Sequence, residues 1–314
     1  MRRRSINGLL AALALLGLAA CGDDDKAASP EAGGTLRVSG STTVNAVAAD
    51  AAEVLRGRGL TITVDSQGGS GGGIAQLGAG QVEIAMSSKP IADADRQMFP
   101  SVDFFPSQIG ADAVGIVVRR EVVDGGLRNI TRDQARDLFE GKVANWREFG
   151  GPDLAVFVYD KEPGRGTREV LDKYLYGSDG KAPPPPDTDN FAIVGGNEET
   201  RAKLLSTEGS VGPLSTSFIS GVAQLVALPL DGVEAVPANV TGGTYPMARP
   251  LFLLTDGPPV GPAKQFIDFV LSVDGQKLVT KHGFLTRAEL APSDLAAPPP
   301  GAAGVFRRNR VPAP

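Results

Sequence analysis

Short apolar segments alternate with segments of helical period along most of the chain. Residues 60–64 alternate apolar and polar side chains, as a strand with one buried face does, and residues 114–118 are all apolar or glycine, which favours a buried strand. Between such segments, residues 44–56 place alanine and valine at helical spacing, and Thr131 precedes a second helical run as a capping residue would. This alternation predicts an α/β protein with a largely parallel sheet.

The same pattern predicts the remaining elements. Four consecutive prolines within residues 177–190 exclude regular structure there and predict a surface loop. Strands are predicted at residues 36–38, 82–86, 154–159, 209–214, 223–228 and 249–254. Helices are predicted at residues 74–79, 131–140, 198–206, 263–271 and 276–281, with one more starting near residue 164.

Three strand-to-helix junctions have the same composition of glycine and hydroxyl residues. They are "SGSTT" at residues 39–43, "GGSGGG" at residues 68–73 and "GRGT" at residues 164–167. The first N–H groups of a helix lack internal partners and carry partial positive charge, so such junctions can bind an anion without a basic surface. A single junction of this kind can equally be an ordinary cap, and the glycine run can be a flexible turn. A fourth donor loop, "SSK" at residues 87–89, follows the predicted strand at 82–86.

The N-terminus predicts export. Three arginines precede an apolar run at residues 8–17 that is too short for a stable membrane span, and "LAAC" ends at Cys21, the only cysteine. This resembles the lipobox of bacterial lipoproteins, in which the cysteine is lipidated; an ordinary secretory signal with a chance cysteine is the alternative. We therefore expect a signal peptide at residues 1–20, a flexible tether at 21–33 and a lipid-anchored protein facing the periplasm or the cell exterior. The Pro- and Ala-rich residues 291–314 are expected to be a disordered tail.

Charge narrows the classes of partner. Removal of the predicted signal lowers Lys+Arg from 31 to 28 against 36 Asp+Glu, a net charge of about −8. This negative charge disfavours nucleic acid or an anionic membrane surface as the main partner. The remaining length is sufficient for two domains, each with its own core.

Several motifs together resemble one known family. "SGSTTV", "GGSGGGIAQL", "VEIAMSSKP", "GKVANW", "GRGTREVL" and "TYPMARPLFL" occur in the order seen in phosphate-binding proteins of bacterial ABC importers. The resemblance implies a two-lobed periplasmic-binding-protein-like α/β fold of type II, with a mixed, mostly parallel sheet in each lobe and the ligand in the cleft between them. The implied first lobe is discontinuous, at residues 34–117 plus 243–290, and the second is at 118–242. The implied partners are inorganic phosphate and an ABC permease and ATPase complex.

The resemblance also implies the ligand contacts. Thr42 and Thr43 would supply hydroxyl and backbone donors, Ser70 a hydroxyl, and Gly166 and Thr167 a backbone N–H and a hydroxyl. The predicted ligand-binding set is completed by neighbours in the same loops: Ser41, Gly71, Ser88, Lys161 and Arg165.

The sequence departs from the family's pattern at three of these positions. Lys161 stands where an arginine is common, and Arg165 where the family has serine; Arg165 either grips the ligand or points to solvent. Ser88 stands where some members have an aspartate that accepts the proton of HPO₄²⁻. A hydroxyl can donate or accept, so an oxyanion is a firmer prediction than phosphate, and sulfate or a molybdate-like anion is an alternative.

An exported phosphatase is the rival class of function. The one histidine, His282, falls in the predicted last helix, apart from the glycine loops, and no cluster has metal-ligand spacing. The sequence therefore predicts a monomeric binding protein with no catalytic residues, metal or cofactor. A ligand sensor that feeds no importer is a further alternative, because both would use the liganded state as the signal.

Overall fold

The computed structural model describes residues 35–178 and 180–290. The predicted signal peptide, Cys21, the tether and the C-terminal tail lie outside the described residues. Within the described part, no helix is both long and apolar enough to cross a membrane.

The described strands form one mixed sheet. In spatial order they run β2-β1-β3-β9-β4-β7-β5-β6, with β8 and β10 pairing along β4. Their bounds are β1 Leu36–Gly40, β2 Ile62–Asp65, β3 Ile84–Ser87, β4 Phe104–Arg119, β5 Phe157–Lys161, β6 Phe191–Val194, β7 Ser210–Ser215, β8 Leu225–Ala227, β9 Ala248–Asp256 and β10 Leu285–Thr286. The pairs β1–β2, β1–β3, β5–β6 and β5–β7 are parallel, whereas β4 and β9 pair antiparallel to their neighbours.

Helices connect these strands, as the α/β prediction requires. Their bounds are α1 Thr42–Arg56, α2 Gly69–Gly78, α3 Asp93–Met98, α4 Arg120–Asp124, α5 Arg132–Phe139, α6 Gly166–Tyr176, α7 Asn197–Ser206, α8 Pro237–Thr241, α9 Gly261–Leu271 and α10 Val273–Lys281. Thr131 caps α5 as predicted. Its hydroxyl accepts the backbone N–H of Gln134, and Gln134 Oε1 accepts the backbone N–H of Thr131.

Strand β4 lies inside the sheet and changes its pairing partner along its length. Its residues 104–113 pair with β9, and from Val114 onward its partner is β7. We call β2, β1, β3, β9 and residues 104–113 of β4 the first half of the sheet. The second half consists of residues 114–119 of β4 with β7, β5 and β6.

Each half has its own apolar core. Helices α1, α9 and α10 cover the first half with a cluster that includes Val47, Ile84, Leu251 and Phe266. The second half packs α5 and α6 around a cluster that includes Ile116, Leu138, Trp146, Val158 and Leu171. The Trp146 indole is fully buried and donates to the carbonyl of Gly209, 2.8 Å away.

Two of the predicted elements clearly exceed their predicted bounds, and the structure adds elements that the sequence pattern did not predict: β6, β10, α3, α4 and α8. Helix α2 begins at Gly69 and not at residue 74, so the glycine run is itself helical. Glycine disfavours helix intrinsically, but a Cβ at Gly73 would lie 2.7 Å from Gly40 Cα; close packing on β1 therefore requires glycine there. Strand β4 is 16 residues long, against the five predicted, because Pro106, Gly110 and Asp112 interrupt its apolar pattern.

Candidate functional site

A small polar pocket lies where the helix starts of the two halves meet. Its lining comes from the first turns of α1, α2, α6 and α7 and from the ends of β3 and β5: Ser41, Thr42, Thr43, Gly69, Ser70, Ser88, Lys161, Arg165, Gly166, Thr167, Gly195 and Asn197. Ligand sites in open α/β folds occur at such strand ends.

Helix α1 presents a capped start to this pocket. Ser41 is the capping residue, and its Oγ accepts the N–H groups of Thr43 at 3.2 Å and Val44 at 3.5 Å. Because Ser41 already uses these two amides, the side chain of Thr43 is the stronger candidate for contact with a ligand. Thr43 is almost fully buried.

Ser70 and Ser88 form a hydroxyl pair on the same side. Ser70 Oγ accepts the backbone N–H of Ser88 at 3.1 Å, and the two Oγ atoms are 3.2 Å apart. Whichever hydroxyl donates to the other, one hydroxyl proton of the pair remains free to point at a ligand. Gly71 does not line the pocket; its N–H donates across the halves to Gly164 O at 2.9 Å.

Helix α6 closes the pocket from the second half. The first intrahelical bond runs from Glu169 N–H to Arg165 O, which leaves the earlier amides of Gly166 and Thr167 without helical partners. A Cβ at Gly166 would lie 2.4 Å from Ser88 Oγ and 3.0 Å from Ser70 Oγ. Glycine is therefore needed at position 166 for this helix start to approach the serine pair so closely.

Lys161 is buried at the end of β5. Its Nζ donates to Gly196 O at 3.0 Å and to the Thr200 hydroxyl. Burial, followed by the positive charges of Arg249 and Arg165, lowers the pKa of the Lys161 ammonium group to about 7.

Arg165 lines the pocket, and its guanidinium forms an ion pair with Glu162, which does not line it. Its Nη2 is 2.6 Å from Glu162 Oε2, and the Arg165 side chain is 14% exposed. Glu162 takes up two of the five N–H groups of Arg165, and the contact of its guanidinium with a ligand stays a prediction.

Arg249 is the central cation of the site, and sequence reasoning missed it. It lies opposite Asp112 in the β4–β9 pairing, and its Nε and Nη2 donate to Asp112 Oδ2 at 3.0 and 2.7 Å. Its remaining N–H groups reach Thr43 Oγ1 at 2.9 Å, Thr167 Oγ1 at 2.9 Å and Ser88 Oγ at 3.2 Å. One guanidinium thus connects hydroxyls from two of the predicted junctions and from the fourth donor loop.

The partner of Arg249 is equally buried. The side chains of Asp112 and Arg249 are each 1% exposed, and Asp112 also accepts the hydroxyl of Ser215 at 2.8 Å. Burial raises the pKa of the Asp112 carboxyl, and Arg249 opposes that rise. A lone charge inside an apolar strand is costly unless it is paired. Two such residues, in "GADAVGIVV" and "MARPLFLL", were the signal from which this pair could have been found.

Asn197 is the second residue that sequence reasoning missed. It begins α7 and reaches across to the first half, where its Nδ2 donates to Thr43 Oγ1 at 2.8 Å. Its backbone N–H is 3.4 Å from Thr42 Oγ1. Asparagine at a helix start followed by two glutamates reads as an ordinary cap, so nothing local marked it as part of the pocket.

The structure thus brings together every predicted ligand-binding residue except Gly71 around one pocket. Their contact with a ligand stays a prediction. His282 ends α10, where its Nε2 lies 2.8 Å from Asp50 Oδ2, and it does not line the pocket. Among the described residues, no group of three or more His, Cys, Asp or Glu side chains could hold a metal ion.

Comparison with known proteins places this geometry in a family. Residues 25–274 match the family model described as a PBP superfamily domain. The chain belongs to the PBP superfamily. The predicted α/β fold of the periplasmic-binding-protein type is thereby confirmed, as is the resemblance from which it was inferred.

Individual members of the superfamily are similar over most of the chain. The phosphate-binding protein PstS of Bacillus subtilis is 29% identical over 289 residues, which is 88% of this chain and 92% of that protein. A solved structure from Clostridium perfringens, described as a phosphate ABC transporter substrate-binding protein with bound phosphate, is 27% identical with a TM-score of 0.69. It covers 81% of this chain and 99% of its own. An ABC-type phosphate transport receptor from Vibrio cholerae, 23% identical with a TM-score of 0.64, covers 80% of this chain and 99% of its own and shares the fold.

Proposed function

We propose that this protein captures phosphate in the pocket between the two halves and delivers it to an ABC importer composed of a permease and an ATPase. It acts as a monomeric binding protein and not as an enzyme. It is anchored outside the cytoplasmic membrane by a lipid on Cys21. The relatives described as phosphate-binding and substrate-binding transport proteins support this assignment.

The observation that carries the proposal is the position of the Arg249 guanidinium. It is buried, held in orientation by Asp112, and in hydrogen-bond contact with the hydroxyls of Thr43, Ser88 and Thr167. Its five N–H groups all donate to Asp112 and to these hydroxyls, so the guanidinium supplies positive charge and orients the hydroxyls, whose protons can then be donated to an oxyanion. Hydroxyls oriented by that guanidinium and unpaired amides at helix starts add neutral donors to the same pocket.

Contacts between the halves explain how binding could be signalled to an importer. Hydrogen bonds cross from Gly71 to Gly164, from Asn197 to Thr43 and from Arg249 to Thr167. A ligand that bridges these groups favours the arrangement in which the halves meet, and a transporter can select that arrangement. The proposed lobes are residues 34–117 with 243–290 and residues 118–242. The change of β4 partner after Ala113 lies near the first boundary.

Calorimetry on protein freed of bound ligand by unfolding and refolding tests the proposal. Phosphate should bind with one site per chain, and sulfate and molybdate should bind much more weakly. Absence of heat with phosphate, together with clear binding of sulfate or an organic solute, would contradict the phosphate assignment. Replacement of Cys21 by serine should release the protein from the membrane without a change in affinity; continued membrane retention would argue against lipidation.

Hydrolysis of a model phosphate ester tests the rival function. The purified protein should release no phosphate from such an ester. Release that Arg249→Met abolishes would favour a phosphatase over a binding protein. A sensor and an importer component differ in their partners, so co-purification of the protein with a permease complex favours import.

A further inference from the structure

The polar atoms of the pocket divide unequally into donors and acceptors. Thr43 Oγ1 accepts from Arg249 Nη2 at 2.9 Å and from Asn197 Nδ2 at 2.8 Å, so both of its lone pairs are used. Its hydroxyl proton can therefore only be donated to a third group. The Ser70–Ser88 pair likewise retains one free hydroxyl proton, and the helix starts contribute N–H groups. Almost everything that faces a ligand is a donor.

One buried atom breaks this pattern. Asn197 is 1% exposed, and it lines the pocket. Its Oδ1 accepts no hydrogen bond, a condition that among the buried side-chain N and O atoms of the described residues it shares only with Ser39 Oγ. An unpaired buried carbonyl oxygen is costly, and the Nδ2 bond to Thr43 holds this one in place.

A fully ionised oxyanion cannot satisfy that atom. Every oxygen of sulfate is an acceptor, so sulfate in the pocket would leave Asn197 Oδ1 unpaired and facing negative charge. An oxyanion that keeps one proton offers acceptors to the surrounding donors and one O–H to the amide oxygen. Sites built to bond a substrate hydroxyl reject analogues that lack it far more strongly than apolar pockets do.

We infer that Asn197 determines specificity by accepting, through its Oδ1, the proton of a monoprotonated tetrahedral oxyanion, and that it thereby favours hydrogen phosphate over sulfate. This inference rests on the proposed function. The role falls to an amide on α7, contributed by the opposite half of the sheet from Ser88. Ser88 is less suited to it, because its Oγ already accepts from Arg249 Nη1 and pairs with Ser70.

The test is the ratio of phosphate to sulfate affinity, measured by calorimetry at constant pH on the purified full chain. The variant Asn197→Leu has a similar shape but neither amide atom. Loss of the Nδ2 bond to Thr43 weakens the binding of phosphate and of sulfate alike. Loss of Oδ1 weakens the binding of phosphate and strengthens that of sulfate. The preference for phosphate should therefore fall at least about tenfold. The variant Asn197→Asp keeps an acceptor and should retain or increase that preference, because a carboxylate accepts the proton and repels sulfate.

Each outcome is decisive. An unchanged ratio in Asn197→Leu, with both affinities reduced, would show that Asn197 only supports Thr43 and would overturn the inference. Equal weakening of both anions by Asn197→Asp would mean that the amide faces the ligand with its N–H₂ group, and this would overturn it as well. If the unmodified protein bound no phosphate, both the proposed function and this inference would fail. An altered ratio in the variants cannot arise without phosphate binding, so the two failures are distinguishable.

Discussion

Two arginines approach the same pocket from different parts of the fold, and they are held in opposite ways. Arg249, at the start of β9, is 1% exposed and faces Asp112 on the neighbouring strand. Arg165, at the start of α6, is 14% exposed and pairs with Glu162, three residues earlier in a loop. Both have a carboxylate partner, yet only Arg249 also donates to the hydroxyls of the site.

The difference shows what a buried ion pair contributes to a binding site. The cost of desolvation makes such a pair a weak source of stability. Removal of one partner is nevertheless costly, because the other is left as an unpaired buried charge, and the pair has a fixed geometry. The sheet positions Arg249 through backbone pairing at Asp112, so the N–H groups that orient the hydroxyls of the site point where the strands place them. Arg165 depends on a short local contact with a half-exposed partner, which solvent screens. We therefore expect the β9 arginine, and not the α6 arginine, to dominate affinity.

Replacement of the two arginines by methionine should give the largest contrast. Arg249→Met should weaken phosphate binding more than about 100-fold and lower the free energy of unfolding by about 3–5 kcal/mol. Arg165→Met should change the free energy of unfolding by less than about 1 kcal/mol and affinity by only a few-fold. Urea titration and calorimetry measure the two effects. Equal losses of affinity in the two variants would break the comparison.

The stability loss of Arg249→Met should depend on pH. Without the guanidinium, burial raises the pKa of the Asp112 carboxyl further above its unfolded value, opposed only by hydrogen bonds from Ser215 and Ala113. The folded variant then holds a proton that the unfolded chain releases, so its stability should fall as pH rises above the pKa of the carboxyl in the unfolded chain. The double variant with Asp112→Asn removes the unpaired charge. This double variant should regain stability but not affinity for phosphate. The result would show that the affinity loss of Arg249→Met comes from the missing guanidinium and not from misfolding.

Gly166→Ala tests whether phosphate binding requires the close approach of the start of α6 to Ser88. A Cβ at this position would lie 2.4 Å from Ser88 Oγ and 2.9 Å from Ser88 O, so α6 would have to withdraw from the first half. Overpacking of this kind costs about 1–3 kcal/mol, which predicts roughly 5- to 150-fold weaker phosphate binding. Gly57→Ala, at the C-terminal end of α1 with φ −61°, is the matched control. Undiminished affinity in Gly166→Ala would mean that this approach is not required for binding.

The same comparison explains what could be predicted from sequence. The α6 and α1 junctions were predictable because glycine and hydroxyl residues next to a helix start form a local pattern. Within them, the family resemblance pointed to Thr43, Gly166 and Thr167. Arg249 and Asp112 are 137 positions apart, and each looks like an interruption of an apolar strand. Only the register of β4 and β9 brings the two residues opposite each other as an ion pair.

Other departures have the same physical origin. Helix α2 was predicted too short because helix propensity disfavours its glycines, whereas packing against β1 requires them. Asn197 resembled a helix cap until the tertiary fold brought it to Thr43. Local chemistry was predictable, and groups that acquire their role through long-range pairing were not.

Lys161 provides a titratable probe of the α6 side. With the pKa of its ammonium group lowered to about 7, Lys161 is mostly charged at pH 6 and mostly neutral at pH 8. A protonated lysine favours an anion, so its contribution to phosphate affinity should be present below pH 7 and fall as pH rises through it. Lys161→Arg keeps its charge throughout this range. The ratio of wild-type to Lys161→Arg affinity should therefore fall by up to about tenfold between pH 6 and 8. The titration of phosphate itself cancels in that ratio, and a constant ratio would contradict the prediction.

The smallest effect is expected from the ion pair that joins the two halves beside the pocket. Lys89 Nζ lies 2.7 Å from Glu169 Oε1 on α6, and the Lys89 side chain is 7% exposed. Lys89→Met should weaken phosphate binding by about two- to fivefold through faster dissociation, because partly exposed pairs contribute about 0.5–1 kcal/mol. The difference from wild type should shrink in 0.5 M salt if screening of this pair is the cause. Arg37→Met removes the exposed Arg37–Glu83 pair, which lies wholly within the first half, and should leave the dissociation rate unchanged. Stopped-flow measurement of phosphate release distinguishes the two. Equal rates in Lys89→Met and wild type would show that Arg249 and Asn197 suffice to hold α6 and α7 against the first half.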